Sequence, residues 1–316
     1  MQPEYNYIYE VHQSGSFSKA AAKLFMTQPA LSIAIHKVEE QIGYPIFNRH
    51  TKPLELTAAG EVLLKAIQEM KLLDENLTNQ LQDLSQLEEG HLRIGGTQYF
   101  NSHILPSIIK TYMERFPKVE LSLLEDNSGN IDLNLENGLV DITFHCGPYD
   151  EKKYMGYHVF TDHLLLAIPT SFPLNKGIRE LALTKTDVKN KLFLDPQCPT
   201  ITLKACQDIP FLLLTKSNNL RALSLSIFKE EGVTPKIRFL VEQLETSVYL
   251  ANAQLGAAFL SDKIICNNPG HKLLYYTLPH PEAERRYNAI LRKQSYLSHI
   301  MKTFIKEIQQ YYSFTL

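Results

Sequence analysis

The chain has 316 residues, of which 44% are hydrophobic and 21% charged, and its formal net charge is −2. This is the balance of a globular protein of two or three domains, and it provides no overall basic footprint for nucleic acid, so any DNA-binding assignment has to rest on a local constellation. No basic segment leads into an apolar core at the start and no run of about 18 uninterrupted apolar residues occurs, so neither an export signal nor a membrane partner is expected and a cytoplasmic location is.

In chain order, Tyr7, Ile8 and Val11 stand at helical spacing before Ser14-Gly15, whose glycine suits a helix C-terminus. Ser16 or Ser18 then caps a second helix over 18–25, in which Ala20, Ala21 and Ala22 let a crossing helix approach closely. Thr27 is a good N-cap, Pro29 fits a first helical turn, and Leu31, Ile35, Val38 and Ile42 form the inward stripe of a third helix ending at Gly43. Its outward face begins with Gln28, Ala30 and Ser32. Small and amide side chains at an exposed helix N-terminus suit the DNA major groove, where Gln pairs with an adenine edge and backbone N–H groups meet phosphate. The following "YPIFNRHTKPLELTAAGEVLL" reads as a short strand, a turn holding Arg49, His50 and Lys52, a second strand Leu54-Glu55-Leu56 and a capped helix from Thr57. That is a wing. A helical bundle with a surface hairpin is the plainer alternative, and the order and spacing favour a winged helix-turn-helix.

The stretch "GSFSKAAAKLFMTQPALSIAIHKVEEQIGYPIFNRHTKPLELTAAGEVLL" resembles the DNA-binding module of the LysR-type transcriptional regulators, over nearly all of the first 65 residues. The resemblance implies double-stranded operator DNA as a partner. It carries DNA-contact positions onto Ser18, Thr27, Gln28, Pro29, Ala30 and Ser32, onto Arg49 in the wing, and onto Thr57 and Gly60 at the start of the next helix. Where the family commonly has arginines on the recognition helix, this chain has Ile33 and His36, and His36 is kept as a candidate contact. Residues 1–57 hold Lys19, Lys23, Lys37, Arg49 and Lys52 against Glu4, Glu10, Glu39, Glu40 and Glu55 and are formally neutral. Few phosphate contacts imply a shallow salt dependence per subunit, so affinity should come from several modules acting together.

From Ala58 to Leu87 the only glycine is Gly60, and Leu63, Ile67, Met70, Leu77, Leu81 and Leu84 recur at threes and fours. Such a helix, about 45 Å long, either lies on its own core or meets the same helix of another subunit. Dimerisation is the favoured reading, the family resemblance agrees, and Glu88-Glu89-Gly90 ends the helix as a hinge. The domains are then expected at 1–58, 59–89 and 90–316.

The remainder echoes itself. "FPKVELSLLEDNSGNID" returns as "TPKIRFLVEQLETSVYL", "GGTQYFNSHIL" falls against "LLLTKSNNLRAL", and "LENGLVDITF" against "ANAQLGAAFL". Each copy reads strand, helix, strand, helix, strand, which calls for a largely parallel sheet with helices on both faces and a ligand beyond the carboxyl ends of its strands. Thr97 and Ser128 follow strands and open helices, where hydroxyls and amides hold an anion. This half resembles the two-lobed effector domain of the LysR-type family, built like a type 2 periplasmic binding protein. By that resemblance lobe one spans about 90–166 and 269–316, lobe two about 167–268, and the ligand positions fall on Thr97, Gln98, Tyr99, Ser128, Asn218 and Gln243. A plain helix cap is the rival reading for each. His145 and Phe144 end a strand facing the same cleft. The polar "TKTDVKNKLFLDPQCPTITL" reads as an insertion that forms extra surface structure or covers the cleft.

A multidomain α/β transcriptional regulator is therefore expected, with a small, anionic effector altering its DNA binding or bending, itself as partner in a dimer or a dimer of dimers, and RNA polymerase as a further partner. No GxSxG, Gly-rich phosphate loop or HExxH motif supports an enzyme, and a free solute-binding protein would carry an export signal and no helix-turn-helix. No metal and no cofactor is read. Cys146, Cys198, Cys206 and Cys266 lie far from CxxC spacing and read as buried thiols, with a Cys198–Cys206 redox pair as the lesser alternative.

Overall fold

The structure is a computed structural model that describes residues 2–48, 51, 54–84, 89–216, 218–267 and 270–314. The chain divides into two units, Met1–Leu87 and Glu88–Leu316, each with its own core.

In the first unit, helix α1 (Pro3–Ser14) stops at Gly15, which takes the left-handed conformation at φ 58° that costs a glycine no Cβ clash. Helix α2 (Phe17–Lys23) starts one residue earlier and ends two residues earlier than expected, because Phe25 turns to φ 53° and stops it. Ala20 and Ala21 are buried against the neighbouring helices, whereas Ala22 faces solvent. Helix α3 (Gln28–Ile42) opens on Thr27, whose hydroxyl accepts from the Ala30 amide at 3.4 Å, and closes on Gly43 at φ 77°. Leu31, Ile35 and Val38 are buried as expected, but Ile42, the last residue of the helix, is 36% exposed. Strands β1 (Phe47–Asn48) and β2 (Glu55–Leu56) pair antiparallel and form the base of the wing. Glu39, on the inner face of α3, accepts from the Ile46 amide at 2.8 Å and thereby fixes where the wing leaves the helices.

Helix α4 (Ala58–Leu84) runs about 40 Å. Its first turn lies so close to the wing that a Cβ on Gly60 would strike the Ile46 carbonyl oxygen and sit 3.0 Å from Leu56 Cδ2. Leu64 and Ile67 are buried in the core of the first unit, with Leu63 and Met70 partly buried against it. The assignment of Ile67 to a subunit interface is therefore corrected: at 0% exposure it has no surface left to offer. Beyond it Leu73, Leu77, Leu81 and Leu84 are all more than half exposed. That distal part carries Asp74, Glu75 and Asp83 and no basic residue after Lys71. The expected hinge falls partly on residues 85–88, outside the described residues.

The second unit contains both sequence echoes as folded copies. The first is strand β3 (Gly90–Gly96), a π-helical turn at Phe100–Ile104 running into helix α5 (Leu105–Arg115), strand β4 (Val119–Glu125), helix α6 (Ser128–Glu136) and strand β5 (Thr143–His145). Next comes the 16-residue strand β6 (Tyr154–Pro169), followed by the short helices α7 (Asn175–Ile178) and α8 (Lys185–Lys189). The second copy is strand β7 (Pro210–Leu214), helix α9 (Asn219–Glu230), strand β8 (Lys236–Val241), helix α10 (Leu244–Asn252) and strand β9 (Ala258–Ser261). Helix α11 (Asp262–Asn267), strands β10 (Leu273–Thr277) and β11 (Glu284–Arg292) and helix α12 (His299–Phe314) complete it.

Within each copy the strands pair in parallel, β3 with β4 and β7 with β8, as alternating strands and helices require. The sheets are nevertheless mixed, because β11 pairs antiparallel with β5 and with the first half of β6, and β6 continues antiparallel to β9 and β10. Residues Tyr154–His163 of β6 pair with β11, and from Leu164 onward the same strand pairs with β9 and β10. The partners of β6 thus change at His163–Leu164, and β10, like β9, is bonded to its second half, while pairing with its first half is resumed at Glu284 rather than near 269. The insertion after residue 184 is a folded part of lobe two: Thr184 and Asp187 form a capping box on α8, and Val188, Phe193, Ile201 and Leu203 are buried.

Candidate functional site

Two surfaces qualify. On the first unit, Ser18, Gln28, Pro29 and Ala30 are exposed around the start of α3, Thr27 caps it, and Ser32 is half-buried. Two DNA-contact expectations change. His36 is exposed, but its ring lies 3.5 Å from Glu39 and from Glu40, so it is held among carboxylates rather than presented alone to a phosphate. The Thr57 hydroxyl donates to the Pro45 carbonyl at 2.5 Å and accepts from the Gly60 amide at 3.0 Å, which makes it the cap that joins α4 to the wing. Arg49, with His50 and Lys52, lies outside the described residues.

On the second unit, the ends of α6 and α9 meet across the lobes around a small cavity of about 80 Å³. Thr97, Tyr99, Ser128, His145 and Asn218 line it, so five of the seven expected ligand positions come together. Ser128 is the first residue of α6, and Asn218 caps α9 by accepting from the Leu220 amide at 3.0 Å. Both helix N-termini bring backbone N–H groups and the positive end of a helix dipole to one place.

Gln98 and Gln243 do not line the cavity. Gln98 instead donates to Glu245 of α10 at 2.7 Å, a direct bond from lobe one to lobe two. Gln243 is exposed at the head of α10 and makes no capping bond with its side chain. Tyr99 is 92% removed from solvent by the surrounding floor, being 8% exposed, and its hydroxyl is 2.9 Å from Asp162 and 3.1 Å from Ser261. Burial, with Asp162 beside it, holds the phenol well above its ordinary pKa, so it remains the donor to that carboxylate.

The residues that sequence reasoning missed are the charged ones beneath the cavity. Arg285 of β11 grips Asp162 of β6 with two bonds, Nε to Oδ1 at 2.7 Å and Nη2 to Oδ2 at 2.5 Å, and both side chains are almost fully buried. Burial alone would weaken the arginine's charge; the Asp162 carboxylate outweighs it and holds the pKa well above the ordinary value. Arg285 also lines the cavity, and His145 Nε2 lies 2.8 Å from Asp132 Oδ1 at its rim. Phe100 and Phe144, stacked with centroids 4.5 Å apart, close the apolar side. Cys146, Asn219, Leu220 and Arg285 are shared with a wider groove of about 720 Å³ that runs outward past Leu223 and Ser226. No residue of the insertion lines the small cavity, so it does not cover the cleft there.

All four cysteines are free. Burial, with Glu231 nearby, pushes the Cys206 thiol up to about 12, which keeps it a thiol at neutral pH and weighs against the Cys198–Cys206 redox reading. Among the described residues no group of His, Cys, Asp and Glu has the geometry to hold a metal ion, and no helix is long and apolar enough to cross a membrane.

A winged helix-turn-helix, a long helix with an exposed leucine stripe and a two-lobed domain with an interlobe cavity together define a ligand-responsive transcriptional regulator. Residues 4–61 match the profile of the bacterial regulatory helix-turn-helix protein, lysR family, and residues 85–313 that of the LysR substrate binding domain. The chain belongs to the LysR family, which is one of transcriptional regulators and not of enzymes. A probable RuBisCO transcriptional regulator of Gracilaria tenuistipitata var. liui is 26% identical over 303 residues, spanning 94% of this chain and 91% of the relative. A variant of full-length OxyR from Pseudomonas aeruginosa superposes with a TM-score of 0.72 at 18% identity, covering 97% of this chain and 93% of that one. Full-length CbnR complexed with its target DNA gives 0.61 at 17% identity, covering 98% and 99%. These two likenesses speak to the fold. As a LysR-type regulator the protein binds operator DNA and a small-molecule effector and forms oligomers.

Proposed function

We propose that the effector is a small anion, or carries an anionic head, seated in the interlobe cavity against Thr97, Ser128 and Asn218. The observation that carries this is the meeting of two helix N-termini from opposite lobes over the buried Arg285. A carboxylate or phosphate group fits a space of about 80 Å³, and the wider groove holds whatever larger body the head is attached to. Asp132 does not oppose this reading, because His145 faces it at hydrogen-bond distance.

Binding shifts the equilibrium between arrangements of the DNA-binding dimers only by the effector's differential affinity for them, so effector and operator affinities are reciprocally coupled. A dimer of dimers is the assembly that a neutral DNA module favours, with α4 pairing subunits through Leu77, Leu81 and Leu84. Lobe limits at His163–Leu164 and Glu284, a cytoplasmic location and RNA polymerase as a downstream partner complete the reading. The test is calorimetric titration with a panel of small carboxylates and phosphates, repeated with Ser128→Ala and in the presence of bound operator. Binding that weakens in the variant and differs with operator present supports it. Exclusive binding of cations or neutral amines, or identical affinity with and without operator, overturns it.

A further inference from the structure

Helix α3 presents an unusual surface on the side away from its core. Pro29, Ala30 and Ile33 are all exposed, Ile33 to 59%, and their spacing of three and four places them as neighbours on one ridge in the first two turns. The basic residues of the helix are His36 and Lys37, and His36 is engaged by Glu39 and Glu40. No arginine stands on α3 to pair with the O6 and N7 atoms of guanine. Beyond Gln28 and the half-buried Ser32, what the first two turns of this helix offer a base pair is alkyl surface.

The major groove contains one apolar feature at the base edges, the C5-methyl group of thymine. An exposed branched alkane gains by covering that methyl and loses by facing the amino group of cytosine, which it leaves without a partner. The ridge spans about 6 Å of helix axis against about 3.4 Å per base step, so it covers two neighbouring pairs. We propose that Ile33, with Pro29 and Ala30, reads thymine methyl groups at adjacent positions of the operator half-site, and that Ile33 is the residue that sets this preference. The inference rests on α3 being the helix that enters the major groove.

The experiment uses the full-length protein and operator duplexes isolated by selection from random DNA. Each thymine of the half-site is replaced singly by uracil, which removes the methyl and leaves the base pairing intact. Wild-type protein should lose about three- to tenfold in affinity at one or two adjacent positions and nothing elsewhere. Ile33→Ala should bind the thymine and uracil duplexes alike at those positions, since the partner of the methyl is gone, while Ile33→Val should keep part of the difference. Ile33 is exposed, so matching thermal melts for the variants show that the fold is intact. Binding in which no uracil position matters, or in which the uracil penalty persists unchanged in Ile33→Ala, overturns the proposal and leaves the groove-reading role of α3 standing. Selection of no DNA by a folded, oligomeric protein overturns that underlying role as well.

Discussion

Arg285 and Asp162 are the pair whose removal should be felt most. They are 123 positions apart in sequence, nearly unexposed, and joined by two hydrogen bonds, with Tyr99 donating to the same carboxylate. Breaking such a pair leaves one charge buried without a counterion, which costs far more than the pair contributes over an apolar replacement. Asp162→Asn should therefore destabilise the protein by about 3–5 kcal/mol, measured by chemical denaturation, whereas a double replacement by apolar residues of similar volume should recover much of the loss. On the first unit the informative residue is Gln28, exposed at the first position of α3. Gln28→Ala should cost about 1–3 kcal/mol at one operator position if its amide grips an adenine. A randomised-site selection that returns an unchanged motif would remove Gln28 from the reading set.

At the scale of elements, α4 has two different jobs along its length. Its first turns belong to the DNA-binding unit, with Ile67 fully buried and Gly60 tight against the wing. Its distal leucines remain exposed, and a stripe of that kind costs free energy in water unless another surface covers it. Leu77→Glu combined with Leu81→Glu should dissociate the assembly toward monomer in sedimentation experiments while leaving the melting of the effector domain nearly unchanged. Much of this was legible from sequence, because helix period, the Thr27 cap and the Gly15 and Gly43 stops are all local signals. The division of labour along α4 was not. Leucine and isoleucine at threes and fours look the same whether they face their own core or another chain, and only the packing of the first unit's core decides that Ile67 is used up.

For the whole molecule, the repeated strand-helix order declared two lobes, and the Thr97, Ser128 and Asn218 positions declared the cleft between them. The contacts that set its chemistry were beyond local pattern. Gln98 and Glu245 are separated by 147 positions, and a glutamine after a strand reads equally well as a ligand contact or as a bond between lobes. The different partners of β10 and β11 along β6 were likewise hidden, since the two strands look alike in sequence. Three histidines of the folded second unit bind protons less readily than in the unfolded chain. Burial lowers the pKa of His103, against the pull of Glu245, and that of His158, with Arg286 adding to it. It does the same for His163, against Asp262, Glu284 and Asp162 and with Lys263 assisting. Each imidazole is therefore kept neutral in the native state, and its contribution is complete above about pH 6.5 and lost as the pH falls below it. Melting temperature should drop between pH 7.5 and 5.5, and His163→Gln should make that drop shallower; an equal drop in the variant would assign the effect to other groups.

The acidic distal part of α4 has a consequence for how the regulator responds to its ionic surroundings. On the subunit pairing proposed above, Asp74, Glu75 and Asp83, with no basic residue after Lys71, bring like charge together where the distal parts of two such helices meet, and added salt screens that repulsion. The same salt weakens the grip of each wing and recognition helix on phosphate. On that pairing, self-association and DNA attachment respond to salt in opposite directions, and operator occupancy is expected to fall less steeply with ionic strength than phosphate contacts alone dictate, which binding isotherms at a series of salt concentrations check.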